Sequence, residues 1–255
     1  ACNFTSDRFD NDLDEVINQA IINNITKFGL ICSRLSDLDK LLEIYNRYSK
    51  HMFFTIGVHP HHANEINEEY LKKLKEVIKN NNPHAIGETG LDFFRNLSTY
   101  EEQIFAFEEQ IKIAIDINKP LFLHQRDSHD DFIKILRKYS SDINKSVVHC
   151  FTGSKEQLND YLELDCYIGV TGWICDAKRN VELRKTIKNI PLERLMIETD
   201  CPYLIPKNLQ EKPKNNRNEP TYLNHIANEV ATLMKKDIND IREKTYKTSL
   251  SFFQS

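Results

Sequence analysis

Residues 85–93 read Ala-Ile-Gly-Glu-Thr-Gly-Leu-Asp-Phe, a short apolar run that leads into a carboxylate held between two glycines. A run of this length bounded by glycine predicts a buried strand whose last residue is Glu88, followed by a tight turn that glycine permits. A carboxylate at the end of an apolar strand is costly unless it has a counter-charge. We therefore expect Glu88 to meet cationic partners.

The same pattern recurs three times further along the chain. Residues 121–123 lead into His124, residues 146–148 into His149, and residues 195–199 into Asp200. Imidazoles and carboxylates are common ligands of divalent metal ions. Each alone has a plain interpretation, as a structural histidine, a loop cap or an ion-pair partner. Four such residues at strand ends favour a shared metal site.

Hydrophobic periodicity predicts eight strands, each followed by a helix. The strands are expected near residues 2–5, 28–32, 52–56, 85–88, 121–124, 146–149, 166–170 and 194–199. Helical spacing covers residues 13–24, 38–48, 66–79, 99–118, 128–139, 154–163 and 179–189, with two last helices from residue 220 and over 238–252. This alternation predicts an α/β fold, a closed (β/α)₈ TIM-type barrel with an additional C-terminal helix. A doubly wound open sheet is the alternative, but no G-x-G-x-x-G follows an early strand.

Composition limits the classes of protein that fit. No linker rich in Gly, Pro or Ser divides the chain, so we expect residues 1–255 to form one domain, acting as a monomer. No apolar run approaches the ~18 residues of a membrane span, and no signal peptide precedes the first predicted strand. The chain starts at Ala1 rather than Met, which suggests trimming, and its six cysteines form no C-x-x-C pair. These features predict a cytoplasmic protein with reduced cysteines and no membrane partner.

Strand ends in a barrel lie at one mouth, where the active sites of such folds are found. Glu88, His124, His149 and Asp200 can therefore converge on a divalent metal that activates water. Glu88 is the best placed to span two metals, about 3.5–4 Å apart in such sites. Asp200 can bind metal and take the proton from the attacking water.

Six motifs follow one another nearly end to end. They are Gly-Val-His-Pro-His at 57–61, Gly-Glu-Thr-Gly-Leu-Asp-Phe at 87–93, His-Gln-Arg-Asp at 124–127, His-Cys-Phe-Thr-Gly at 149–153, Ile-Glu-Thr-Asp-Cys-Pro-Tyr-Leu at 197–204 and Arg-Asn-Glu-Pro at 217–220. In this order they resemble the TatD family of metal-dependent deoxyribonucleases, a branch of the amidohydrolase-type barrels. The resemblance implies a (β/α)₈ fold and metal-dependent hydrolysis of phosphodiesters. It also implies that Glu88, His124, His149 and Asp200 bind metal and that Asp200 is the general base.

One departure concerns the first strand, where many members of the family carry a His-x-His pair that binds metal. The matching positions here are Ala1 and Asn3, and the start Ala-Cys-Asn-Phe-Thr-Ser resembles a subgroup with Asn at the second position. One metal position should therefore be weaker and more open to water. This favours Mg²⁺, which keeps several waters, with up to two ions per chain, while the histidines would also accept Mn²⁺ or Zn²⁺.

The net charge of −4 gives no general attraction to nucleic acid, so a polyanionic substrate needs local cations. We expect His59, Arg126, Arg95 and Asn3 to contact the substrate. The loop cations Lys207, Lys212, Lys214 and Arg217 are either a solvated run or further phosphate contacts, and Trp173 either stacks on a base or covers the last helices.

Three functions are compatible with these residues. The first is a deoxyribonuclease, acting as a 3′→5′ exonuclease on single-stranded DNA as the resemblance suggests, with RNA as an open alternative. The second is a metallohydrolase of a small amide, lactone or ester, which would need an enclosed pocket. The third is a binding protein on a decayed barrel, which the intact ligand set disfavours.

Overall fold

The structure is a computed structural model, and it describes residues 1–254. Within them, seven strands alternate with helices along the chain. The strands are β1 (Phe28–Leu30), β2 (Met52–Ile56), β3 (Ala85–Asp92), β4 (Leu121–Arg126), β5 (Ser146–Val148), β6 (Tyr167–Val170) and β7 (Leu195–Ile197). The α-helices are α1 (Leu13–Ile22), α2 (Leu38–Tyr48), α3 (Glu68–Asn81), α4 (Tyr100–Asp116), α5 (His129–Tyr139), α6 (Lys155–Glu163), α7 (Val181–Thr186), α8 (Leu223–Met234) and α9 (Ile238–Phe253).

The strands form one parallel sheet in the order β1 to β7, as the predicted α/β barrel requires. Residues 1–3 join its two edges. The Cys2 N–H donates to the carbonyl of Gly29 at 2.8 Å, and the Asn3 N–H donates to the carbonyl of Cys201 at 2.8 Å. The hydrogen-bonded ring is thereby closed.

The predicted first strand, residues 2–5, is reduced to the bridging residue Cys2, which pairs with Leu30 and with Cys201. The chain leaves the sheet at once because the Ser6 N–H bonds to the carbonyl of Asn3 at 3.1 Å and a 3₁₀ turn follows at Asp7–Phe9. The other predicted strands all have a counterpart in the structure.

The prediction that β3 ends at Glu88 in a tight turn was wrong, since the strand continues to Asp92. Gly87 and Gly90 adopt φ values of +142° and +146° inside the strand, and the register against β4 shifts between Ile86 and Thr89. A Cβ on Gly90 would lie 1.9 Å from the carbonyl oxygen of His124. These glycines therefore permit two strands to approach closely. Glycine is favoured at such contacts as well as in turns.

Local capping places several helices. Thr99 and Glu102 form a capping box at the start of α4, and Ser154 and Gln157 form another at α6. Each box satisfies backbone N–H groups that the first helical turn leaves free. Among residues 1–254, no helix combines the length and apolar character needed to cross a bilayer.

The end of the barrel opposite the strand carboxyl ends is filled by an apolar cluster, here called the floor. It brings side chains from the strands, among them Phe53, Phe122 and Tyr167, together with Phe252 and Phe253 at the end of α9. Phe253 stacks on Phe53 with ring centroids 5.1 Å apart and an interplanar angle of 6°. The last helix therefore serves as part of the barrel core.

Candidate active site

The carboxyl ends of the strands carry the predicted ligands. Glu88 lies within β3 and His124 within β4, while His149 directly follows β5 and Asp200 lies beyond β7. Burial is high for a group of ionisable residues, since Glu88 is 6% exposed and His149 is 4% exposed. Ionisable side chains buried to this extent must form hydrogen bonds or ion pairs with one another to offset their loss of hydration.

Glu88 is the centre of this cluster. Its Oε1 lies 2.9 Å from His124 Nδ1, 2.8 Å from His149 Nε2 and 3.4 Å from His59 Nε2. Burial alone would raise the pKa of Glu88, but the surrounding imidazoles hold it well below its ordinary value. Glu88 is therefore ionised.

This donor set fits a divalent cation. Three ring nitrogens face one carboxylate oxygen, which has only two lone pairs, so they cannot all donate hydrogen bonds to it. His59 Nε2 is also 3.3 Å from His124 Nδ1. Ligand atoms of His59, Glu88 and His124 all lie within 4.8 Å of one another. Nitrogen and oxygen donors in this arrangement suit Mn²⁺, Zn²⁺ or Mg²⁺.

His59 lies among the candidate ligands themselves, whereas the sequence suggested only a contact with the substrate. The residue is 8% exposed, and its Nδ1 accepts a hydrogen bond from the His61 N–H at 3.1 Å. That bond leaves Nε2 as the atom that faces Glu88. Burial lowers the pKa of His59 to about 4, so the ring is neutral at pH 7, and the bond accepted by Nδ1 places its single ring proton on Nε2.

Asp92 supports His124 from the other side. Its Oδ2 lies 3.3 Å from His124 Nε2 and 2.7 Å from His61 Nε2. Burial would raise the pKa of Asp92, but its hydrogen bonds with these rings lower it strongly. Sequence reasoning missed this role of Asp92. The signal was the position of Asp92 in the same motif as Glu88, four residues further on.

Glu198 lies beside His149. Its Oε1 accepts a hydrogen bond from the Cys150 N–H at 2.8 Å and is 3.5 Å from His149 Nδ1. That Nδ1 is buried and makes no hydrogen bond to another described residue. Glu198 therefore faces the ring of His149 while its hydrogen bond goes to the adjacent backbone.

Asp200 is bound to the start of the chain. The Asn3 side-chain amide donates to Asp200 Oδ1 at 2.9 Å, and Asp200 has a φ of +57°, a left-handed conformation that Asp tolerates. Burial raises the pKa of Asp200 to about 7, with His149 opposing the shift and Glu88 adding to it. Asn3, predicted to contact substrate, directs its side-chain amide at this carboxylate.

The predicted cations differ in their availability. The Arg126 guanidinium lies over the Phe94 ring, 3.7 Å from its centroid, and makes no ion pair with the described residues. Arg95 is exposed, and its backbone N–H donates to Asp92 Oδ1 at 2.8 Å. Arg217, by contrast, is 5% exposed and paired with Asp12 and Glu219, so it is a structural residue rather than a phosphate contact.

Cavities lie on both sides of the barrel. One of about 700 Å³ adjoins α8, α9 and the floor, and none of the predicted metal ligands lines it. Another of about 280 Å³ lies between the loops that follow β6 and β7, close to Asp200 in sequence. Glu198, which faces His149, lies on its wall, so the larger cavity reaches a neighbour of the predicted ligands.

Imidazoles and carboxylates that converge at the carboxyl ends of a parallel barrel define a class of protein, the metal-dependent hydrolases. Comparison with known proteins narrows this class. The family described as TatD related DNase matches residues 1–254. A curated relative from Edwardsiella piscicida, named 3′-5′ ssDNA/RNA exonuclease TatD, is 39% identical over 252 residues, which cover 99% of this chain and 97% of the relative.

Solved structures agree. A TatD family hydrolase from Entamoeba histolytica is 31% identical, with a TM-score of 0.89 and coverage of 98% of this chain and 95% of that chain. The TatD homologue YJJV from Escherichia coli K12 has a TM-score of 0.90 at 24% identity, over 100% of this chain and 96% of that chain, and shows the shared fold. This chain belongs to the TatD-related DNase family. The predicted family, fold class and enzyme class, a metal-dependent hydrolase of phosphodiester bonds, are confirmed.

Proposed function

We propose that this protein removes nucleotides from the 3′ end of single-stranded DNA, and that RNA is a second substrate. The observation that carries the proposal is the convergence of three imidazoles on Glu88 Oε1 at 2.8–3.4 Å. The name 3′-5′ ssDNA/RNA exonuclease, borne by the Edwardsiella relative, supports the polarity and the substrate. The alternative of a small-molecule hydrolase called for an enclosed pocket, but exposed Phe94 and Tyr203 adjoin the predicted site.

We propose Glu88, His124, His149 and Asp200 as metal ligands, with His59 beside them as a substrate contact. Up to two ions would bind, with Mg²⁺ as the physiological metal and Mn²⁺ or Zn²⁺ as substitutes. When bound, such ions lower the pKa of water and polarise the phosphoryl oxygens. The neutral amide of Asn3 makes the neighbouring metal position the weaker one.

The chain's own residues perform the remaining tasks. Asp200 accepts the proton of the attacking water; burial raises the pKa of this carboxyl to about 7 in the metal-free protein, and a bound cation would favour its ionised form. Asp92 holds His124, so that His124 Nδ1 faces Glu88. Arg126, which lies over the Phe94 ring, and Arg95 contact the substrate phosphates.

Nucleotide release from 3′- and 5′-labelled single strands across a Mg²⁺, Mn²⁺ and Zn²⁺ series tests the proposal. The expected result is release of the 3′ label first, with no release in EDTA. Glu88→Gln and Asp200→Asn should each lower kcat by roughly 10³-fold or more, while the exposed control Glu193→Gln keeps full activity. Full activity of either site variant would refute the assignment.

We further propose that the whole chain, residues 1–255, acts as one domain and as a monomer in the cytoplasm. All the proposed ligands come from one chain, and all six cysteines are free, as expected in a reducing compartment. Light scattering of the purified protein across a concentration series tests the monomer. A stable dimer would refute it.

A further inference from the structure

The cavity of about 280 Å³ between the loops after β6 and β7 has aromatic and cationic walls. Trp173 comes from the first loop and Tyr203 from the second, and Arg8, Arg179 and Lys207 line the same space. No carboxylate is among its lining residues. In a chain of net charge −4, such a local set of cations favours an anionic ligand.

The two loops are held firmly against each other. A Cβ on Gly172 would lie 2.2 Å from the carbonyl oxygen of Leu204, so glycine is needed where the loops touch. The Asn218 side chain donates to the carbonyl of Tyr203 at 2.6 Å, and the Arg184 guanidinium donates to the carbonyl of Ile174 at 2.6 Å. The aromatic residues therefore stand on a fixed support, which reduces the entropy that binding would cost.

The cavity adjoins the candidate catalytic cluster. The Tyr203 N–H donates to the carbonyl of Asp200 at 3.0 Å, so a single turn joins the proposed base to the aromatic wall. Tyr203 is 52% exposed, so its ring is accessible to a ligand. A ligand group in this cavity would therefore lie beside a group bound at the candidate catalytic cluster.

The cations are arranged to serve a phosphate chain. Arg8 donates to the carbonyls of Pro202 and Asn216 at 3.1 and 2.8 Å and has no carboxylate partner among the described residues. The Arg179 side chain is 73% exposed, with its Nε 4.0 Å from Asp176 Oδ2, and Lys207 is exposed. Aromatic faces that hold bases beside cations that hold phosphates are the pattern of single-strand binding.

We infer that this cavity is a nucleobase subsite, in which Trp173 and Tyr203 hold one base of a single-stranded nucleic acid next to the scissile phosphate. The inference rests on the proposed function for its substrate. The volume, slightly below that of cavities for drug-sized ligands, suits one base rather than a longer segment. Specificity for single strands follows, because a base must be unpaired and unstacked before its face can lie against an aromatic side chain.

Trp173 is the only tryptophan in the chain, so its fluorescence reports on the cavity directly. We would titrate the protein in EDTA, which prevents turnover, with a thymidine oligonucleotide. The comparison strands have the same length and carry a tetrahydrofuran abasic unit at the 3′-terminal or the penultimate position. The expected result is quenching by the intact strand, and binding weaker by roughly 5- to 150-fold for one of the two abasic strands.

Variants complete the test. Tyr203→Ala should abolish the preference for the intact strand, Tyr203→Phe should keep it, and Tyr246→Ala, an exposed tyrosine in α9, is the matched control. Trp173→Ala should raise KM for the intact strand, with circular dichroism to verify folding. Equal binding of all strands, or an unchanged preference in folded Tyr203→Ala, would overturn the subsite.

The binding readout separates this inference from the proposed function. A wild-type protein that binds with base-dependent quenching but releases no nucleotide with any metal would contradict only the exonuclease assignment. A protein that releases nucleotides equally well from intact and abasic strands would contradict only the subsite.

Discussion

The side-chain amide of Asn3 donates a hydrogen bond to Asp200 Oδ1 at 2.9 Å, although the two residues are 197 positions apart in the chain. The contact crosses the seam where residues 1–3 join the two edges of the sheet. Closure of the barrel and orientation of the proposed base therefore depend on the same few residues.

Asn3→Ala should lower activity roughly tenfold at pH 6–7, since the loss of one hydrogen bond to a carboxylate costs about 1.5–3 kcal/mol at most. The Asn3 amide favours the ionised form, so its loss raises the pKa of Asp200 and the deficit should shrink toward pH 9. Rate profiles of kcat against pH check this. A deficit that is the same at every pH would show that Asn3 acts only by packing.

Asp200 should make the metal-free protein sensitive to pH. Its folded pKa of about 7 exceeds the ordinary 3.8, so between these values the folded state retains a proton that the unfolded state releases. The contribution of Asp200 to the free energy of unfolding is therefore lost as the pH rises from about 3.8 to about 7. Relative to Asp200→Asn, wild type in EDTA should lose up to about 1.4 kcal/mol per pH unit between pH 5 and 7 in urea unfolding.

Saturating Mn²⁺ should reverse this trend, because a cation favours the ionised carboxylate. Parallel pH dependence of wild type and Asp200→Asn in EDTA would contradict the raised pKa.

Asp92→Asn should weaken Mn²⁺ binding about 10- to 100-fold, a range typical of residues that orient metal ligands. The Asp92 carboxylate faces both His61 and His124 with a charged oxygen. The amide of the variant offers only a neutral oxygen, so it holds these rings less strongly. Isothermal titration calorimetry measures the effect, with exposed Asp240→Asn as the control. Unchanged affinity would mean that His124 needs no support from Asp92.

Phe253→Ala should destabilise the protein by about 3 kcal/mol, because it removes a buried ring that stacks on Phe53. The loss stays near the low end for Phe→Ala because the ring already borders the 700 Å³ cavity. Urea unfolding measures it, and Phe105→Ala, which is 46% exposed, serves as control. A change below about 1 kcal/mol would contradict the role of α9 in the floor.

Much of the fold could be predicted because its determinants are local. Apolar runs such as residues 121–123 define strands, alternation with helices defines a parallel barrel, and the barrel brings the strand ends to one mouth. Glu88, His124 and His149 were found in this way. The extension of β3 to Asp92 was missed because Gly90 reads as a turn, while its actual role, contact with the His124 backbone, is a property of the assembled sheet.

The rest of the site depends on contacts between distant residues. His59 lies in a loop, and only its burial against Glu88 distinguishes it from His62, another histidine of the same loop. Arg217 is indistinguishable in sequence from a phosphate contact, but its bidentate pairing with Asp12, 205 positions away, takes it out of the solvent. Neither the burial of His59 nor the pairing of Arg217 can be predicted from the residues next to it in sequence.

The floor limits how a polynucleotide can travel. Beneath the cluster, the Phe122 ring lies 5.0 Å from that of His149, and the aromatic side chains of α9 continue the apolar layer below it. A charged polynucleotide strand would not pass through this apolar layer, so it cannot run through the barrel from one end to the other. In the proposed exonuclease, the 3′ end would therefore enter and each released nucleotide would leave by the same end of the barrel, so release would have to precede the next advance of the strand.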